Sequence, residues 1–162
     1  MLVVEPLDVR HDADTAAAVL RLQQAAYTVE AELIGSDGIP ALHETLAELR
    51  AAPQRWLGAW DAAGLVGAVA YERLEDGTLD ICKLVVAPRA FRRGVGTALL
   101  EALDAAEPAE HAVVWTGTAN TPARRLYERR GFAPVRDVEV APGLWITRFE
   151  RGSVPTGPDG TG

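Results

Sequence analysis

The chain is short of several things that would define other classes of protein. Its 162 residues hold a single cysteine, Cys82, which excludes an internal disulfide framework and makes a reducing compartment the default. No apolar run approaches the roughly 20 residues that a bilayer-spanning helix needs. The N-terminus has neither the basic start nor the long apolar segment of a secretory signal, so a cytoplasmic protein with no membrane partner is expected. An excess of basic charge is missing as well. Acids outnumber bases 23 to 16, and the net charge of −7 argues against nucleic acid as a partner. His11, His43 and His111 are scattered without ligand spacing, so no metal site is expected. Lys83 is the one lysine, a feature of composition with no mechanism attached to it.

What is present suits one compact domain. The chain is 48% hydrophobic and 24% charged, enough for a proper core. Residues 1–150 are expected to form that domain. Residues 151–162, almost free of apolar side chains, are expected to be a disordered tail. Leu2 to Leu7 reads as a first strand, with Pro6 implying a sheet edge. Asp12 or Asp14 can cap a helix whose apolar positions include Ala16, Val19, Leu20, Leu22, Ala26 and Tyr27. A second helix is expected over Ala41–Arg50. Arg55–Trp60 and Leu65–Glu72 flank a turn and form a hairpin, and Glu75-Asp76-Gly77 turns the chain into a third strand at Thr78. His111–Thr116 follows a helix and should pair in parallel through a right-handed crossover. Phe132–Val135 and Val138–Val140 supply one strand or two bent ones, and Leu144–Phe149 closes the sheet.

The centre of the chain is a strand, a short loop and a helix. Leu79–Val86 stops at Ala87-Pro88. Arg92-Arg93-Gly94-Val95-Gly96-Thr97 then opens a strong helix. Its first turn offers unpaired N–H groups and the positive end of a dipole, and Gly94 and Gly96 carry no side chain to obstruct an approaching ligand. The arrangement reads as an anion site.

This loop resembles the acyl-CoA loop of the GNAT family of N-acetyltransferases. A second stretch strengthens the likeness: Asn120, Ala123, Leu126, Tyr127, Gly131 and Phe132 match the family pattern N-x-x-A-x-x-L-Y-x-x-x-G-F, in family order and at a family-like distance. The resemblance implies an α+β fold with a mostly antiparallel, twisted sheet of about seven strands, flanking helices and one parallel pair splayed at the cofactor site. It implies acetyl-CoA as acyl donor, with no metal. Leu84, Val85 and Val86 would line the pantetheine arm. Arg92, Arg93, Gly94, Val95, Gly96 and Thr97 would wrap the pyrophosphate. Asn120 would contact the arm, and Tyr127 would be both a cofactor contact and the general acid. The match departs at Phe91, where the family often has Gln or Arg, and at Trp115, where members that acetylate peptide N-termini often carry Glu.

The implied chemistry is transfer to a primary amine. A lysine-like amine of pKa about 10.4 costs roughly 4.6 kcal/mol to hold neutral at pH 7. Glu72 or Asp80 is a candidate base, while Tyr27 and Glu30 are candidates for the acceptor wall. Strand alternation places Asp80, Cys82, Leu84 and Val86 on one face, with Ile81, Lys83 and Val85 on the other. A small-molecule amine is the expected acceptor and a homodimer the expected assembly. Two alternatives stay open: a non-catalytic acyl-CoA-binding sensor, and a protein lysine or N-terminal acetyltransferase.

Overall fold

A computed structural model of the protein describes residues 1–152. The chain runs β1 (Val3–Leu7), α1 (Ala13–Ile34), a 3₁₀ turn (Pro40–His43), α2 (Leu46–Ala51), β2 (Arg55–Asp61), β3 (Gly64–Arg73) and β4 (Leu79–Val86). It continues with a second 3₁₀ turn (Pro88–Ala90), α3 (Val95–Ala106), β5 (His111–Gly117), α4 (Thr121–Arg129), β6 (Ala133–Ala141) and β7 (Leu144–Gly152). The seven strands make one sheet in the order β1-β2-β3-β4-β5-β7-β6. Every neighbouring pair is antiparallel except β4–β5. This is the mixed, mostly antiparallel seven-stranded sheet expected, with Pro6 on the edge strand β1. Among the described residues no helix is long and apolar enough to cross a membrane.

Local chemistry places the helices. Asp12 caps α1 by accepting from the Asp14 and Thr15 amides, and Gly35 ends it in the left-handed conformation at φ 69°. The expected second helix is divided. Pro40–His43 makes only a 3₁₀ turn, and Thr45 restarts the chain as α2 through a capping box with Glu48. The helices cover the sheet on both faces. Leu99, Leu100 and Leu103 of α3 and Tyr127 of α4 pack on one face with Val69, Ile81, Val114 and Phe149. Val19 and Leu22 of α1 and Leu49 of α2 pack on the other with Trp56, Ala70 and Val85.

Three outcomes differ from expectation at the level of strands. β7 inserts between β5 and β6, so β6 forms the edge; it is a single strand with two register irregularities. Arg151 and Gly152, assigned to the tail, extend β7, where Gly152 pairs with His111. The rest of the expected tail lies outside the described residues. The third difference is in β4. Ala70 pairs with Lys83 and Tyr71 with Ile81, leaving Cys82 as the extra residue of a bulge. The bulge resets the alternation. Leu84 and Val86 join Leu79 and Ile81 on the α3 face, whereas Val85 and Cys82 belong to the α1 face.

The same bulge turns Lys83 to the α1 face. Its side chain is 8% exposed and its Nζ donates to Glu44 Oε1 at 2.5 Å and to Gln23 Oε1 at 3.1 Å. Gln23 Nε2 in turn donates to Glu44 and to the Ala41 carbonyl, both at 2.9 Å. The network ties the segment between α1 and α2 to the centre of the sheet. Removing one partner of a buried pair strands a charge, at a cost of about 3 kcal/mol or more. Chemical denaturation of Glu44→Ala should show a loss of about that size, and Lys83→Met added to it should restore most of the loss.

Candidate active site

The parallel pairing of β4 with β5 covers only Leu79–Ala112, Asp80–Val113 and Ile81–Val114. Beyond that point the two strands separate. Leu84, Val85 and Val86 still pair with Val69, Ala68 and Gly67 of β3, but among the described residues no strand pairs with their other edge. A cleft of about 410 Å³ opens at the split.

The gap brings together elements that the sheet otherwise keeps apart. From the α1 face come Tyr27 and Glu30; from the opposite face come α3 and α4 with Tyr127. The cleft is lined by Leu84, Val85, Val86, Arg92, Gly94, Val95, Gly96, Thr97, Asn120 and Tyr127 from the expected cofactor set, and by Tyr27 and Glu30 from the expected acceptor wall. Three expected residues do not line it. Arg93 turns toward Asp61, at 3.8 Å. Glu72 and Asp80 lie with Cys82 on the sheet, their ligand-type atoms within 4.8 Å of one another. There Cys82 Sγ donates to Glu72 Oε2 at 3.7 Å. Burial, reinforced by both carboxylates, pushes the thiol up to about 12, so it stays protonated. Burial and Glu72 also raise the Asp80 carboxyl above its ordinary value.

The loop before α3 is held in an unusual shape. Arg92 has φ 66°, the one non-glycine among the described residues in the left-handed region, and Gly94 follows at φ 76°. Such a conformation costs a side-chain-bearing residue about 1–2 kcal/mol and is typical of functional loops. Asp61 at the end of β2 clamps the approach, accepting from Arg89 at 3.0 and 3.3 Å, and that pairing lowers its pKa. Gly96 lets α3 and α4 approach closely, since a Cβ there would come within 2.8 Å of Leu126 Cδ2. Arg92 on the loop and Arg125 and Arg129 on α4 face the cleft without an ion pair or hydrogen bond among the described residues. By sequence alone, Arg124, Arg125, Arg129 and Arg130 suit either a solvated helix face or, for one of them, a contact to an outlying phosphate of the cofactor. The i, i+4 spacing of Arg125 and Arg129 was the signal that these two share a side.

Tyr127 is held by packing. Its ring lies 5.9 Å from those of Phe132 and Phe149, and burial, with Glu30 adding to it, raises the phenol above its ordinary value. The same causes, Glu30 second after burial, raise Tyr27. Asn120 caps α4 by accepting from the Ala123 amide at 3.3 Å, which leaves its side-chain NH₂ for another partner.

The start of α4 is anchored by Thr147 of β7, which is fully buried. Thr147 Oγ1 donates to Asp137 at 2.7 Å and accepts from Arg124 at 2.9 Å. With that proton committed, Thr118 must donate to Thr147 across their 2.7 Å contact. Thr147→Val keeps the shape and removes the hub. We expect a loss of only about 1 kcal/mol in unfolding free energy, measured by denaturant titration, because Thr147 is buried while exposed Asp137 and half-buried Arg124 and Thr118 can turn to water.

A split mixed sheet with a helix N-terminus at its opening is the acyl-CoA N-acyltransferase fold. Residues 17–132 match the Acetyltransferase (GNAT) family, and the chain belongs to that family. A curated relative, the UPF0157 protein YqkA of Bacillus subtilis (strain 168), is 41% identical over 139 residues, which are 85% of this chain and 40% of that protein. The chain therefore spans well under half of that relative's length. Among solved structures, the PaiA N-acetyltransferase from Thermoplasma acidophilum in complex with coenzyme A superposes with a TM-score of 0.73 at 14% identity, covering 94% of this chain and 99% of that one. A ribosomal-protein alanine N-acetyltransferase from Escherichia coli gives 0.72 at 15% identity, covering 98% of both chains. At these identities the likeness concerns the fold.

Proposed function

We propose that the protein is an N-acetyltransferase that moves an acetyl group from acetyl-CoA to the primary amine of a small molecule by direct attack on the thioester. The observation that carries this reading is the split itself: a strand edge without a partner runs from the amide-rich N-terminus of α3 into a cleft that holds a buried tyrosine. A neighbour in fold binds coenzyme A, which supports the choice of donor.

Each part of the cleft then has a task. The free edge of Leu84–Val86 takes the pantetheine arm as though it were an added strand. Amides of residues 92–97, turned toward one side by Arg92 and Gly94, hold the diphosphate. Arg92, Arg125 and Arg129, without an ion pair among the described residues, add positive charge in a chain whose net charge is −7. Asn120 contacts the arm through its free NH₂. As the amine attacks, backbone N–H groups near Val85 and Val86 stabilise the developing oxyanion. The departing thiolate takes its proton from Tyr127. The α1 wall over the acceptor side supports a small acceptor rather than an extended peptide.

The raised phenol fits an acid. A group held above its ordinary value of about 10 keeps its proton through at least pH 9.5 or so. Turnover, followed by release of free thiol from acetyl-CoA over a panel of primary amines, should therefore show no falling limb from Tyr127 below about pH 9.5. Tyr127→Phe should lower kcat by about 100-fold. An unchanged kcat removes Tyr127 from the mechanism, and tight coenzyme A binding with no turnover on any amine makes the protein a binding module instead.

A further inference from the structure

The proposed reaction lacks a base, and the carboxylates on this part of the molecule can be sorted by what already occupies them. Glu44 accepts from Lys83 and Gln23. Glu72 is engaged by the Cys82 thiol, and neither it nor Asp80 lines the cleft. Glu30 is different. It is the one carboxylate among the cleft-lining residues, and among the described residues it has no hydrogen bond or ion pair.

Its placement is equally specific. Glu30 sits one helical turn after Tyr27 on α1, directed over the last residue of β5. A Cβ built on Gly117 would lie 3.7 Å from Glu30 Oε1 and 2.8 Å from Ile34 Cγ2, so the absence of a side chain at 117 makes the room in which α1 approaches the split. Tyr27 and Tyr127 line the same cleft, so Glu30 shares it with the phenols of both walls. The α1 wall carries Val29 and Leu33 beside it and no cation, while every cleft arginine comes from the loop before α3 or from α4.

Resting on the transferase reading above, we infer that Glu30 is the catalytic base and that the acceptor is a primary ammonium ion on an apolar body. The ammonium binds against the Glu30 carboxylate. Glu30 takes one proton from it, and the freed lone pair forms the C–N bond to the thioester carbon. The C–S bond breaks as the oxyanion collapses, and the thiolate receives the Tyr127 proton. The second proton leaving nitrogen restores the Tyr127 phenol, and the proton on Glu30 passes to water. The sum is ammonium plus acetyl-CoA giving amide, free coenzyme A and one proton. With no cation on the α1 wall, an acceptor carrying a carboxylate beside its amine is disfavoured.

The test compares wild type, Glu30→Gln and Glu30→Asp on two kinds of acceptor: benzylamine and phenethylamine, which are ammonium ions at pH 7, and aniline and benzhydrazide, which are neutral there. Coenzyme A binding is measured by calorimetry on each protein. We expect Glu30→Gln to lose about 100-fold or more in kcat/KM on the ammonium acceptors and less than about fivefold on the neutral ones. Glu30→Asp should recover part of the loss, and coenzyme A affinity should stay unchanged. An equal loss on both kinds of acceptor, or none on either, overturns the assignment of Glu30 and leaves the transferase reading standing. Wild-type protein that binds coenzyme A and acetylates none of these amines overturns both.

Discussion

Backbone pairing between β4 and β5 stops after three residue pairs, and most of what distinguishes this molecule follows from that interruption. A parallel strand with no neighbour on one edge presents N–H and C=O groups that must find another partner. The bulge at Cys82 and the divergence of β5 let Leu84–Val86 stay bound to β3 while opening toward the cleft. The gap is also where side chains of α1 from one face and of α4 from the other line a common cleft. A continuous sheet would keep Tyr27 and Glu30 apart from Tyr127.

The surrounding structure supports that opening. Lys83, turned to the α1 face by the bulge, joins the sheet to the segment after α1 through Glu44 and Gln23. On the other side, Thr147 and Arg124 fix the start of α4, and Asp104 accepts from both Arg130 and Arg151, so the end of α4 is tied to α3 and β7. Most arginines near the site are thus engaged with the fold. The ones that are not, Arg92, Arg125 and Arg129, face the cleft. A protein with a net charge of −7 thereby keeps a locally cationic wall opposite a single carboxylate.

The two donor-side motifs were legible in the sequence because their physics is local. Gly94 and Gly96 at a helix start, and Asn120 capping a helix that carries Tyr127, are written within a few residues of one another. The bulge was not legible. Both faces of β4 are covered by helices, so its alternation carries no polar face from which a shift could be read, and Lys83 in mid-strand was the sole trace of it. The break before α2 did leave a signal, the Thr45–Glu48 capping box, which a reading of one continuous helix passed over. β6 is exposed along almost its whole length, so it gave no pattern to separate one irregular strand from two. Glu30 was legible as a candidate for the acceptor wall, but its place across the split from Tyr127 is a consequence of tertiary geometry that sequence spacing does not contain.

On the transferase reading, the unpaired edge of β4 and the N-terminus of α3 bind coenzyme A. Amide hydrogen exchange with and without coenzyme A tests this most directly, because it reports on the backbone groups themselves. Protection should rise in residues 84–97 and 120–127 and stay unchanged in β1, β2 and β6. Protection centred elsewhere, or no change at saturating coenzyme A, would mean that coenzyme A does not bind at this edge.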